Sequence, residues 1–182
     1  MKSDLQSFPR VMGIVNINDD SFSGDGSLDV EKALRQAVQM VKDGADIIDV
    51  GAESARTNRE AIAEAEEVSR LLPFLEAFET ACEEIEPHDE LQMWPPRLSV
   101  NTWRSKVVEV ALGTGRVHII NDIGGLVEDT NARLCYEFGA SLLVMHTVGL
   151  PKQAHTQQQY DDVMQSLEEF FEDRIERARR VG

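Results

Sequence analysis

The chain has 182 residues, 42% of them hydrophobic and 28% charged, which is the size and balance of one soluble globular domain. Its formal net charge is −15, from 33 acidic and 18 basic residues, and such a surface repels nucleic acid and anionic membranes. No run of apolar residues approaches the roughly 18 that a membrane span needs, and the amino terminus lacks the apolar core of a secretory signal. We therefore expect a cytoplasmic protein with reduced cysteines, no nucleic-acid partner and no membrane partner.

Short apolar runs alternate with amphipathic segments along the chain. The predicted strands cover 11–15, 47–50, 98–100, 118–120 and 141–145. The predicted helices cover about 30–42, 59–85, 104–112, 131–138 and 158–180. The first helix has the clearest helical period, with apolar residues at Val30, Ala33, Leu34, Ala37, Val38 and Val41. Pro73 is expected to kink or divide the second helix, and the proline-rich residues 86–97 indicate an exposed loop.

Strands that are apolar on both faces and alternate with helices predict a parallel sheet covered by helices. Both an open doubly wound sheet and a closed (β/α) barrel fit this pattern. The glycine-rich turn of nucleotide-binding open sheets is absent after the first strand, where the chain reads NINDDSFS, so the barrel is favoured.

A complete barrel needs eight βα units and about 250 residues, whereas about five units are present. We therefore predict a single domain over 1–182, an incomplete TIM-type barrel that lacks the last three βα units. Either the chain is part of a longer barrel or another copy covers its edges. Because exposed strand edges readily pair with other chains, we expect a homo-oligomer.

Polar residues follow every predicted strand, at the edge where barrels of this kind carry their sites. In chain order they are Asn16, Asn18, Asp19, Asp20 and Ser21; Glu53, Ser54 and Arg56; Asn101, Thr102 and Trp103; Asn121 and Asp122; and His146. Each group has an ordinary alternative: an Asx-rich turn, an ion pair between Arg56 and Glu53, a packing tryptophan, or a structural histidine. Five consecutive polar edges together predict a site for a polar, planar ligand.

Five segments resemble the ordered motifs of the dihydropteroate synthase family: MGIVNINDDSFS, GADIIDVGAESAR, LSVNTW, IINDIGGL and VMHTVGLP. The resemblance extends over essentially the whole chain. It implies an eight-fold βα-barrel that takes part in folate biosynthesis as a transferase. Such an enzyme joins a dihydropterin, supplied as its hydroxymethyl diphosphate, to p-aminobenzoate with the help of Mg²⁺, and diphosphate leaves.

The resemblance also implies roles for individual residues. Asn16 would contact Mg²⁺ and the diphosphate and, with Arg56 near the p-aminobenzoate, would be catalytic. The pterin would be bound by Asn101, Asn121, Ile123, Met145 and His146, of which Ile123 and Met145 would pack on its ring. A loop that closes with that of Arg56 would contain Asp20, Ser21 and Phe22.

Several positions depart from the family pattern. Asn101 stands where the third strand usually ends in Asp, and Asn18-Asp19 replaces a Thr-Pro pair. Ala55 and Thr57 replace Thr and Pro around the arginine, and the later Asp-Pro-Gly, Ser-Arg-Lys and Arg-x-His motifs are missing. The resemblance thus implies an enzyme once the missing part is supplied. The alternative is a non-catalytic pterin-binding paralogue or a partial-barrel assembly protein.

Overall fold

The computed structural model describes residues 9–17, 30–53, 60–149 and 160–182. The strands of the described part are β1 (Met12–Asn16), β2 (Ile47–Gly51), β3 (Arg97–Asn101), β4 (Ile119–Asp122) and β5 (Ser141–Val144). Its helices are α1 (Val30–Lys42), α2 (Glu64–Cys82), α3 (Ser105–Gly113), α4 (Thr130–Phe138) and α5 (Val163–Val181). None of these helices is both long enough and apolar enough to cross a membrane.

The five strands form one parallel sheet in the order β1-β2-β3-β4-β5. Each strand therefore pairs with its neighbour in sequence, through a helical connection, and the order never reverses. A doubly wound sheet has a reversal point, whereas a TIM-type barrel winds in one direction. The predicted fold, a partial TIM-type barrel of five βα units, is confirmed, and the doubly wound alternative is wrong.

The hydrophobic core lies between the sheet and its helices. Alternate strand residues such as Val15, Ile48 and Val100 are fully buried against helix residues that include Val41 and Phe74. Successive strand side chains point to opposite faces, so the remaining strand residues line the other side of the sheet, here called the inner face. The core thus uses one face of each strand, and the inner face carries polar residues together with Ile14, Ile119 and Leu143.

Gly13 lets α1 approach β1 closely. A Cβ atom at this position would lie 2.7 Å from Sδ of Met40 on α1 and 3.2 Å from Cδ1 of Ile48 on β2. Any larger residue would require the Met40 side chain to move, which is consistent with a glycine inside an otherwise apolar strand.

The second helix differs from its prediction. It is a single helix, α2, with Pro73 in its interior, so the expected division at Pro73 is wrong. A proline inside a helix costs about 3 kcal/mol. Its neighbours Leu71, Phe74 and Leu75 are almost completely buried, and the packing of these side chains on the sheet offsets that cost. The other elements differ from their predicted bounds by a few residues, most of all α5, which begins at Val163 after Asp162 caps it.

Candidate functional site

Strand register arranges the inner face in rows of side chains. The row nearest the carboxyl ends of the strands, the upper row, consists of Asn16, Gly51, Asn101, Asn121 and Leu143. The lower row, two residues earlier on each strand, consists of Ile14, Asp49, Ser99, Ile119 and Ser141. Each strand thus contributes one residue to each row. Three of the five upper-row residues are asparagines.

Asp49 lies at the centre of this arrangement and is only 2% exposed. Its Oδ1 accepts a hydrogen bond from Oγ of Ser99 at 2.5 Å. Its Oδ2 accepts from Nδ2 of Asn121 at 2.9 Å and from Nδ2 of Asn101 at 3.3 Å. Buried carboxylates require such partners, because an unpaired buried charge is strongly unfavourable. The sequence reasoning missed Asp49, although a charged residue inside the run IIDVG was a usable signal.

Asn121 presents a free acceptor. Among the described residues, its Oδ1 is buried and has no hydrogen-bond partner, while its Nδ2 is held by Asp49. Leaving a buried acceptor unsatisfied costs about 1–3 kcal/mol, so such an atom calls for an explanation. A ligand with an N–H group directed at this oxygen would supply the missing bond.

The predicted site residues Asn16, Asn101 and Asn121 are brought together in the upper row. Asn16 is exposed on β1, whose inner face also exposes Ile14 by 58%. Met145 follows the upper-row residue Leu143 by two positions and is also exposed, whereas Ile123 is buried just beyond β4. These five predicted residues all lie at or just past the carboxyl ends of β1, β3, β4 and β5.

His146 has a different environment. Its ring packs edge-on against Phe170 of α5, with ring centres 4.8 Å apart, and lies 6.3 Å from Phe171. Arg174 of the same helix stacks over Phe170 and donates from Nε to the carbonyl of Gly125. The structure therefore places His146 in the packing of α5 and not with the asparagines, and its pterin contact stays a prediction. Arg56, Asp20, Ser21 and Phe22 lie outside the described residues.

A buried ion cluster stands beside the upper row. Nη1 of Arg104 donates to Oε2 of Glu53 at 2.8 Å and also to Oε2 of Glu67. Nη2 of Arg104 donates to the carbonyl of Ile62 at 3.1 Å, and the Ile62 N–H donates to Oε1 of Glu53 at 2.8 Å. The cluster therefore anchors the chain on both sides of residues 54–59. Sequence reasoning named the neighbouring Thr102 and Trp103 but missed Arg104.

Two buried acids at this end of the sheet have raised pKa values. Burial raises the pKa of Glu67, and hydrogen bonds from Thr102 and the charge of Arg104 only partly oppose it. Burial likewise raises the pKa of Asp122, against hydrogen bonds from Asn131 and Gly124. Within the described parts of the chain, no three His, Cys, Asp or Glu side chains gather as a metal would require.

Comparison with known proteins identifies the family of the chain. The family model described as pterin binding enzyme matches residues 12–182. Dihydropteroate synthase of Escherichia coli strain K12 is 34% identical over 177 residues, which cover 97% of this chain and 58% of that protein. The enzyme of Neisseria meningitidis serogroup C is 33% identical over 177 residues, covering 96% of this chain and 58% of that protein.

A solved structure gives the same result. The dihydropteroate synthase of Clostridium difficile, crystallised in the presence of pteroic acid, superposes with a TM-score of 0.77 at 31% identity. The match covers 98% of this chain and 62% of that one. The chain spans 58% of the length of the curated relatives named above. Because the family model matches nearly all of it, the chain belongs to the family described as pterin binding enzyme.

Proposed function

We propose that this chain is the pterin-binding part of a dihydropteroate synthase and constitutes a single domain over 1–182 that lacks three βα units of the full barrel. The observation that carries the proposal is the upper row, where Asn16, Asn101 and Asn121 meet on one face with a buried acceptor oxygen. The similarity to dihydropteroate synthases of E. coli and N. meningitidis supports it.

The proposed chemistry is a displacement at carbon. The amino nitrogen of p-aminobenzoate attacks the methylene carbon of the dihydropterin, the bond from that carbon to the diphosphate oxygen breaks, and diphosphate leaves with the electron pair. The nitrogen then loses a proton. The described residues would contribute binding and orientation: Asn101 and Asn121 to the ring edge, Ile123 and Met145 to the ring face. Arg56 would act near the p-aminobenzoate.

Mg²⁺ fits the described residues only together with the substrate. Mg²⁺ keeps several waters and often binds through one or two protein oxygens plus substrate phosphates. Asn16 offers one exposed carboxamide oxygen at the end of β1, and no cluster of three acidic, His or Cys ligands accompanies it among the described residues. Asn16 would therefore hold the ion jointly with the diphosphate oxygens. When bound, the ion would neutralise charge on the leaving group.

Pterin binding tests the proposal directly. We expect the 182-residue chain to bind 6-hydroxymethylpterin in isothermal titration calorimetry, and Asn121→Ala to weaken that affinity at least tenfold by removing the buried acceptor. Asn131→Ala is the matched control, because Asn131 also has a buried amide oxygen without a partner among the described residues but belongs to α4. Equal losses in both variants, or no pterin binding by the wild type, would contradict the proposal.

A non-catalytic pterin-binding protein is the second candidate. The upper row itself contains no positively charged residue that could clamp a diphosphate, which favours binding without turnover by this chain alone. An assay for dihydropteroate formed from the pterin diphosphate and p-aminobenzoate separates the two candidates. Product formation supports the synthase, whereas pterin binding without product supports the second candidate.

We also propose that the outer edges of β1 and β5 are paired in the assembled protein, through a homo-oligomer or through further βα units. Each of these strands has one neighbour in the sheet. Apolar residues near both edges are exposed, among them Val11, Ile14, Leu143 and Met145. Sedimentation velocity of the chain tests this idea. A self-associated species is expected, and a stable monomer across the micromolar range would contradict association between copies.

A further inference from the structure

We propose that Asp49 sets the hydrogen-bonding polarity of the pterin site, so that the site selects a ring edge that donates N–H bonds. The inference rests on the proposed function, because it assumes that the ligand contacts the upper row. It assigns a positioning role to a residue of the lower row that has no contact with the ligand in this scheme.

Asp49 can orient the side-chain amides of Asn101 and Asn121. A carboxylate offers only acceptor oxygens, whereas an Asn side chain offers one acceptor oxygen and one NH₂ donor group. Asp49 takes hydrogen bonds from Nδ2 of both Asn101 and Asn121. The orientation of both amides is therefore dictated by Asp49, and each Oδ1 is turned away from the carboxylate.

The hydrogen-bonding groups left for a ligand are those that Asp49 does not engage. The Asn121 Oδ1 is buried and has no partner within the described part of the chain. The Asn101 amide stands beside it in the same row. A ligand that reaches Asn121 would meet this acceptor oxygen, since the Nδ2 group is held by Asp49. A 2-amino-4-oxo pyrimidine edge carries an exocyclic NH₂ and a ring N–H, which match this arrangement.

Asp49 itself would not contact a ligand bound at the upper row. Two residues along a strand correspond to roughly 6.6 Å, so a ring bound at the upper row lies one full row above Asp49. Asp49 is also covered, since both of its oxygens are engaged by Ser99, Asn101 and Asn121. Its effect on the ligand would therefore pass through the two amides.

The test compares two ligands that differ at one corner of the ring. Pterin has an NH₂ at ring position 2 beside an unprotonated N1, whereas lumazine has an oxygen at position 2, which presents an acceptor to the site, beside an N1–H. We expect the wild type to bind pterin at least tenfold more tightly than lumazine, because two acceptors that face each other are left unsatisfied. In Asp49→Asn the amide at position 49 can donate, so Asn121 can turn over. We expect the preference for pterin to fall at least tenfold.

Ser99→Ala is the matched control. It removes one hydrogen bond to Asp49 but leaves both asparagine contacts in place, so the ratio of the two affinities should stay within about threefold of the wild type. A purely structural role of Asp49 would weaken both ligands equally and leave the ratio unchanged, and that result would overturn the inference. If the wild type bound neither ligand, the proposed function would be wrong, and the orientation of the two amides would be tested by NMR.

NMR of the side-chain amides provides this test without a ligand. The Nδ2 protons of Asn121 should exchange slowly with water in the wild type, because they are held by a buried carboxylate. Fast exchange, like that of the exposed Asn16 amide, would overturn the inference on the wild type alone, even if Asp49→Asn did not fold.

Discussion

Polar groups are arranged differently at the two ends of the sheet. At the amino end, Asp46 is 4% exposed and accepts from the backbone N–H of Val11 at 2.7 Å and of Met93 at 2.6 Å. Arg10 adds a third contact at 3.3 Å. At the carboxyl end, the buried amide oxygens of Asn121 and Asn131 have no partner among the described residues. The buried carboxylate of the amino end is thus paired within the protein, whereas two buried acceptors of the carboxyl end have no partner in the described part of the chain.

The pKa values of the buried acids also differ between the two ends of the sheet. Burial acts to raise the pKa of Asp46, but its backbone hydrogen bonds and Arg10 outweigh burial, and the pKa is lowered. At the carboxyl end burial prevails, and the pKa values of Glu67 and Asp122 are raised. In β/α barrels in general, residues at the amino end of the sheet serve stability, and residues at the carboxyl end form the active site. The following predictions test how sharply the two ends differ.

The largest effect is expected for Arg104→Ala at the carboxyl end. The change leaves Glu53 and Glu67 buried without their shared cation, so the free energy of unfolding should fall by about 3–5 kcal/mol. Arg116→Ala is the control at the amino end, because Arg116 pairs with the exposed Glu79 and should lose less than about 1 kcal/mol. Urea unfolding measures both. Similar losses would show that exposure does not decide the strength of these pairs.

Asp46→Ala should have the next largest effect, about 2–3 kcal/mol, because it leaves two backbone N–H groups and Arg10 without their acceptor. The folded pKa of Asp46 is below its ordinary value of 3.8, so its contribution is present above that pH and is lost as the pH falls through the folded pKa. The difference between wild type and variant should therefore be constant from pH 7 to about 5 and shrink in acid. A difference that grew in acid would contradict the lowered pKa.

Asp122→Asn should change stability less, by no more than about 1 kcal/mol at pH 7. The new amide oxygen can still accept from the Gly124 N–H, and Asn131 can turn its unpartnered oxygen toward the new NH₂ while giving up the bond from its Nδ2 to the Trp103 carbonyl. Because the folded pKa of Asp122 is raised above 3.8, the wild type loses stability as the pH rises through that folded value. The variant should therefore gain relative to the wild type between about pH 4 and 7. A difference in the free energy of unfolding between variant and wild type that did not change with pH would contradict the raised pKa of Asp122.

The smallest effect concerns thiol reactivity. Burial raises the pKa of Cys82 to about 11, and burial together with the charge of Asp122 raises that of Cys135 to about 12. Both thiols should resist a disulfide reagent at pH 8 until the protein is unfolded in urea. Asp122→Asn should speed the labelling of Cys135 but leave Cys82 unchanged. Equal acceleration at both sites would indicate a general loosening instead.

The order of the strands and helices could be predicted because apolar periodicity is a local property. Asn16, Asn101 and Asn121 were also predictable, since each closes an apolar run. The division expected at Pro73 was wrong because packing on the sheet, a tertiary effect, keeps α2 continuous, whereas the kink stays a prediction. The environment of His146 was not predictable because it depends on the packing of α5, whose Phe170 and Phe171 are more than twenty residues away in sequence.

Asp49 and Arg104 were missed for a different reason. Their partners are distant in sequence: Asp49 bonds residues 50 to 72 positions away, and Arg104 binds carboxylates 51 and 37 positions away. Such polar clusters become visible only when the register of neighbouring strands is known. Because the second strand is otherwise apolar, the hydrogen-bonded carboxylate of Asp49 was overlooked.

The sequential strand order has a consequence for how such a protein can change. Every βα unit contributes one residue to the upper row and packs its core through the opposite face, so a substitution at an exposed position of that row would disturb the scaffold little. Variation at the exposed Asn16 or Leu143 would thus be nearly independent of folding. Under the proposed function, new ligand preferences would accumulate one strand at a time, while Asp49, tied to Ser99, Asn101 and Asn121, would have to change in concert with them.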